Sequence, residues 1–206
     1  ACRRRRVEDK PVAICRLKRV AADLSDDIRP LLPPIPLEKN GKRIACIGAG
    51  CASLTVANDL LPLGYEVVVY EQLDRPGGLM RTNIPAFRFP QTVLDNELNM
   101  IIDMGVDLRL DQRVDSLATL LEESYDAVFI GTGAPRGKNL EISGRYDSDR
   151  IHIGIDWLES VAFEHTKTIG EQVLIIGVGN TAMDCCRTSL RLGGKQVKVM
   201  ARKPRG

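Results

Sequence analysis

An α/β fold built on a parallel sheet is what the sequence predicts, and two observations carry that expectation. Residues 44–71, IACIGAGCASLTVANDLLPLGYEVVVYE, and residues 173–203, VLIIGVGNTAMDCCRTSLRLGGKQVKVMARK, follow one plan. Each runs from an apolar strand into a glycine-tight turn, then a helix, then a second apolar strand, which is the order of a βαβ unit with parallel strands.

The elements follow in order along the chain. Over residues 11–24, Ile14, Leu17, Val20, Ala21 and Leu24 recur at helical spacing while Arg16, Lys18, Arg19 and Asp23 take the other face, so residues 1–28 read as a short helical segment. Residues 29–41 hold four prolines and read as an extended linker. From 42 to 150 comes a first globular part: strand 43–47, helix 51–63, strand 66–70, a helix in FPQTVLDNELNMIIDMG, a short strand in VDLRLD and a buried strand in YDAVFIGTGAP. Residues 151–206 bring a crossover with a helix from about Asp156, then the second βαβ unit.

Composition narrows the function classes. A net charge of +2 supplies no field suited to nucleic acid, and the arginines of CRRRRVEDK have no interleaved aromatics. No apolar run approaches the roughly 18 residues that span a bilayer, so membrane insertion is not expected. Six cysteines without CxxC spacing, four of them inside the two repeats, argue against a disulfide framework and for a reducing, cytoplasmic setting. The start at ACRRRR, without an initiator Met, reads as a chain cut from something longer. Only His152 and His165 are present, neither beside a nucleophile motif, so a hydrolase is not expected and no catalytic acid or base is assigned.

The glycines point to a ligand. In a dinucleotide-binding turn the first glycine allows the tight bend, the second lets bare backbone approach a pyrophosphate, and the third lets helix and strand pack. The helix N-terminus adds free N–H groups and partial positive charge. Gly48 and Gly50 hold the first two places and Ser53 the third, where its hydroxymethyl group is expected to loosen the packing. An acid belongs about 20 residues on, to accept from ribose hydroxyls, and Glu71 stands there with Gln72 behind it. The expected fold is thus a Rossmann-like dinucleotide-binding α/β fold with a parallel sheet. The second repeat offers Gly177, Gly179 and Ala182, with Asn180 and Thr181 opening its helix. Its second strand leads to Arg202 and Lys203, cations suited to a 2′-phosphate, so NADPH is preferred to NADH there. Cys185 and Cys186 read as helix packing and Asp184 as a local cap or salt bridge.

With IGAGCASL, PGGLMR, IPAFRFP, YDAVFIGTGAPRG and GVGNTAMDCCR in this order, the chain resembles the FAD- and NADPH-binding region shared by the glutamate synthase small subunit and the N-terminal part of dihydropyrimidine dehydrogenase. These belong to the pyridine nucleotide-disulfide oxidoreductase-like flavoproteins. The resemblance implies that Gly48, Gly50, Cys51, Ala52 and Ser53 line the FAD pyrophosphate and that Glu71 holds the adenosine ribose. Gly78, Leu79 and Arg88 lie along the flavin half, Val114 meets the adenine through its backbone, and Gly133 closes over the cofactor. It also implies that residues 1–28 end a segment carrying iron–sulfur clusters. Cys2 matches one ligand of a 4Fe-4S cluster, so such a cluster needs residues upstream of Ala1. Cys15 matches none and reads as a thiol buried on its helix.

The expected activity is electron transfer from NADPH through FAD to iron–sulfur clusters or to an electron-acceptor subunit or domain. A dinucleotide-binding scaffold or redox-responsive module without turnover is the alternative. The second unit reads as truncated, so its strands are expected to lack neighbours, to favour a homodimer, and to leave the chain by itself without NADPH oxidation.

Overall fold

The computed structural model describes residues 3–25 and 27–201. Two compact units are present, residues 1–34 and 35–206. In the first, a short helix α1 (Arg5–Glu8) precedes α2 (Ile14–Asp23), closed by an Arg19–Asp23 ion pair one turn apart at 2.6 Å. Ile14, Leu17, Val20 and Leu24 share a face as the spacing predicts, yet all are exposed and α2 buries no residue. Cys15 is therefore an exposed thiol rather than a buried one: the helix has no core to turn it into.

The second unit begins inside the proline-rich stretch, where Ile35 packs on the core. Its elements are β1 (Arg43–Ile47), α3 (Cys51–Leu60), β2 (Glu66–Tyr70), α4 (Leu79–Thr82), α5 (Gln91–Ile102), β3 (Asp107–Arg109), α6 (Leu117–Glu122) and β4 (Ala127–Ile130). Then come α7 (Gly154–Ala162), β5 (Gln172–Ile176), α8 (Asn180–Arg191) and β6 (Gln196–Met200). The first four strands form one parallel sheet in the order β3-β2-β1-β4. Side chains alternate across β1 and β2. Ile44, Cys46, Val67 and Val69 meet Ala57 and Leu61 on the α3 side, while Ala45, Ile47, Val68 and Tyr70 meet Leu120 of α6 on the other. Both faces are covered, as a parallel sheet requires.

The helices end where the sequence indicates. Gly64 (φ 85°) and Gly105 (φ 110°) take left-handed conformations just past the α3 and α5 segments, a backbone region other residues enter at a steric cost. Two short helices stand where the sequence reading placed none. For α4, the PGG turn ahead of it hides a single helical turn. For α6, Ser116 caps the helix by accepting from the Thr119 N–H at 3.3 Å.

The second repeat forms a separate parallel pair, β5 beside β6. On one side, Ile175 joins Trp157 and Leu158 of α7, Cys185 of α8 and Leu192 just past it in a small core. On the other, Leu174, Ile176 and Met200 are 57%, 56% and 50% exposed.

Candidate functional site

The strand order places the site. The chain adds β2 and β3 on one flank of β1 and then crosses to put β4 on the other. Loops leaving the carboxyl ends of β1 and β4 consequently part at that point, where α/β sheets bind ligands. The loops are Gly48–Ala49–Gly50 and Gly131–Thr132–Gly133, and they touch. A Cβ at Gly48 (φ 91°) would lie 2.7 Å from the Gly131 carbonyl oxygen, so glycine is required by both conformation and space.

A main-chain bond closes the first turn, from the Gly48 N–H to the Tyr70 carbonyl at 2.7 Å. Gly50, extended at φ −80°, ψ 178°, then caps α3, whose first N–H groups have no partner inside the helix. Glu71, 7% exposed, follows Tyr70 and accepts from the Ala49 N–H at 2.8 Å and the Leu73 N–H at 3.0 Å. Its carboxylate thus braces the turn, and the remaining lone pairs of both oxygens are able to accept further bonds. Gln72 is exposed, 3.5 Å from Arg113.

The PGG segment docks on this turn. The Gly77 N–H donates to the Ala49 carbonyl at 2.9 Å, and a Cβ at Gly78 (φ 52°) would sit 3.0 Å from the Gly50 Cα. Leu79 opens α4 half exposed, Val114 packs beside the cluster around Tyr70, and Gly133 (φ 67°) faces open space. Cys51 and Ala52 are exposed at the start of α3.

Ser53 fits where its hydroxymethyl group was expected to loosen the packing. It is fully buried, and the room comes from Gly131, where a Cβ would lie only 2.2 Å from Ser53 Oγ. A glycine is absent from the helix and present on the facing loop instead. The Ser53 hydroxyl has no hydrogen-bond partner.

The second turn repeats the first. The Gly177 N–H donates to the Met200 carbonyl at 2.9 Å, and Gly179 caps α8 at φ −77°, ψ 177°. Asn180 and Thr181 are exposed at its start. This register makes Ala201 the counterpart of Glu71, so no acid stands at that place in the second unit. Arg202, Lys203 and Cys2 lie outside the described residues. Among the described residues no three His, Cys, Asp or Glu side chains gather to hold a metal.

Arg88 has a partner that sequence reasoning did not assign. Its Nη1 donates to Asp184 Oδ2 of α8 at 2.5 Å, which makes Asp184 a long-range ion pair as well as a neighbour of Arg187 at 3.9 Å. Nearby the Asn83 side chain donates to the Ile155 carbonyl at 2.8 Å, and Arg191 lies 3.8 Å over the Phe87 ring. Behind the turns, burial pushes the thiols of Cys46 and Cys185 up to about 11.

Bare glycine backbone at Gly50, Gly133 and Gly179, each with open space where a Cβ would stand, fits ligands that approach the main chain. Two such turns on parallel βαβ units define an α/β dinucleotide-binding protein. The chain belongs to the pyridine nucleotide-disulphide oxidoreductase family, whose sequence pattern matches residues 42–206. A domain of this family implies sites for FAD and a nicotinamide dinucleotide. Over 99% of its length the chain is 34% identical to the NADPH-Fe(3+) oxidoreductase subunit beta of Geobacter sulfurreducens, covering 31% of that protein. It is 31% identical to the glutamate synthase [NADPH] small chain of Bacillus subtilis over 97% of its length, covering 43% of that relative. With the NAD-dependent dihydropyrimidine dehydrogenase subunit PreT of Salmonella typhimurium it shares 35% identity over 95% of its length, covering 47% of PreT. The chain thus spans less than half the length of each of these relatives. In fold it is similar to Mycobacterium tuberculosis FprA in complex with NADPH, with a TM-score of 0.67 and 23% identity over 79% of this chain and 44% of FprA. No helix among the described residues is long and apolar enough to cross a membrane.

Proposed function

We propose that this chain holds FAD at its first turn and NADPH at its second, as part of an oxidoreductase that passes electrons from NADPH to iron–sulfur clusters or to an acceptor subunit. The observation that carries the reading is the pair of matched turns in one compact unit, with Glu71 after the first pair of strands and Ala201 after the second. An acid there accepts from ribose hydroxyls, and its absence admits a 2′-phosphate. The cations that follow, Arg202 and Lys203, suit that phosphate.

Flavin and nicotinamide bring the hydride chemistry with them, and the protein's part is to bind and orient them. The free N–H groups at the start of α3 and the bare backbone at Gly50 and Gly133 receive the FAD pyrophosphate, Cys51, Ala52 and Ser53 flanking it. Glu71 accepts from the adenosine ribose with the lone pairs that Ala49 and Leu73 leave free. Val114 lies toward the adenine, and Gly78, Leu79 and Arg88 toward the flavin half. At the second turn Gly177, Gly179, Asn180 and Thr181 present the equivalent backbone. The names of relatives as beta subunits and small chains support an acceptor on a partner subunit, and the exposed Leu174, Ile176, Val199 and Met200 support self-association. The cytoplasmic setting rests on Cys46 and Cys185, held as single thiols in the interior. A scaffold without turnover, the alternative that a loosened turn at Ser53 and a truncated second unit would favour, is weakened at the first point by the space Gly131 leaves for Ser53.

The test titrates the purified chain with FAD, read by flavin fluorescence, and separately with NADP+ and NAD+. Saturable FAD binding and tighter NADP+ than NAD+ binding are expected. Absence of FAD binding, or a preference for NAD+, overturns the assignment.

A further inference from the structure

Arg88 and Asp184 are 96 residues apart, one on the loop between α4 and α5 and the other on α8. The Asp184 side chain is only 6% exposed, against 44% for Arg88. A carboxylate so buried is costly without a charged partner. Among the described residues Arg88 is its hydrogen-bonding cation. Arg187 stands off at 3.9 Å, and Asp184 Oδ1 accepts no hydrogen bond.

The pair closes a continuous line of contacts between the two turns. Gly50 of the first turn meets Gly78, and Gly78 caps α4. The chain leaves α4 through Asn83, bonded to the Ile155 carbonyl of α7, and reaches Arg88. Arg88 holds Asp184, and Asp184 lies on the helix that Gly179 caps at the second turn. An occupant that shifts the PGG segment would act on α8 through this half-buried charge pair.

We propose that Asp184 is a positioning residue that couples the two dinucleotide turns, holding Arg88 so that occupancy of one turn changes affinity at the other. This rests on the reading of both turns as nucleotide sites. Coupling between sites is reciprocal, and contiguity alone does not establish it, so a binding ratio must.

The experiment uses the full chain and the oxidised probe NADP+, which avoids reducing the flavin. Its Kd is measured with and without saturating FAD. In the wild type the two values differ about fivefold or more, the lower range of measured couplings. Asp184→Asn brings the ratio to within about twofold of one, and Arg88→Ala does the same, with no further loss when the two are combined. Arg88→Lys, which keeps the charge, retains part of the ratio. A merely structural role is read differently: the variants weaken NADP+ binding equally in both conditions and leave the ratio at its wild-type value, which overturns the proposal. A wild-type ratio of one overturns it as well. If Asp184→Asn does not fold, the half-exposed Arg88 variants carry the test. A wild-type chain that binds neither FAD nor NADP+ overturns the dinucleotide reading itself, and this inference with it.

Discussion

Replacing Gly131 by alanine probes the contact that lets a serine stand in the first turn. The added Cβ would lie 2.2 Å from Ser53 Oγ, 3.2 Å from Phe129 Cε1 and 3.4 Å from the Ile47 carbonyl oxygen. The first distance is impossible, the second asks Phe129 to give by a few tenths of an ångström, and the third is ordinary contact, so most of the strain falls on Ser53, which is fully buried. Overpacking of this kind costs about 1–3 kcal/mol. In a chain of this length each 1 kcal/mol lowers the melting midpoint by about 2–4 °C. Ser53→Ala removes the obstructing oxygen and also a buried hydroxyl without a partner, a group whose desolvation costs about 1–3 kcal/mol. Ser53→Ala alone is therefore expected to stabilise the chain, and in its background Gly131→Ala is expected to cost less than about 1 kcal/mol. Urea denaturation of the wild type, the two single variants and the double variant gives the coupling energy directly. If Gly131→Ala costs the same in both backgrounds to within about 0.5 kcal/mol, the two residues are independent and the complementary fit is refuted.

Three further expectations concern other parts of the chain. Hydrogen bonds to a charged group contribute about 1.5–3 kcal/mol each, so Glu71→Ala, which strips partners from the Ala49 and Leu73 N–H groups, should lower the ligand-free unfolding energy by about 2 kcal/mol or more and also weaken FAD binding; an unchanged urea midpoint without FAD would contradict the bracing role. Thiol labelling followed by peptide mapping should modify Cys15 and Cys51 fast, Cys186 more slowly, and Cys46 and Cys185 only on unfolding. Because burial raises Cys46 and Cys185 to about 11 from 9.0, the folded state holds their protons longer than the unfolded state. The stability linked to them is whole below pH 9.0 and lost as pH rises toward about 11, a fall in urea midpoint that Cys185→Ala should lessen.

Much of the architecture was legible because it is local. Glycine spacing, alternating apolar residues and the acid at Glu71 lie within one βαβ unit, and the strands and helices found there match the expected ones. What escaped was long-range or short. Nothing in the neighbourhood of Ser53 reveals that Gly131, on another strand's loop, makes room for it. Nothing around Asp184 reveals that its partner is Arg88 rather than a residue on its own helix. Glu71 was legible as an acceptor, but its bonds to Ala49 and Leu73 depend on how the turn folds back over β2. Helix α6 did carry a signal in Ser116 ahead of an apolar run, whereas α4, a single turn, carried none. Cys15 misled because helical periodicity describes a face and not whether anything covers it.

Both turns are fastened by glycine N–H groups to strand carbonyls, at Tyr70 and at Met200. A fastening made from main chain alone has no side chain for mutation to remove; substitutions elsewhere leave it in place, while Gly48 and Gly177, both at positive φ, are themselves held to glycine. Sequence drift is thereby steered to the residues around the knot. That is where the two copies differ: cysteine and serine on one helix, asparagine and alanine on the other, an acid after one strand and alanine after its twin. The two turns share one main-chain shape while the side chains that surround it differ, residue by residue.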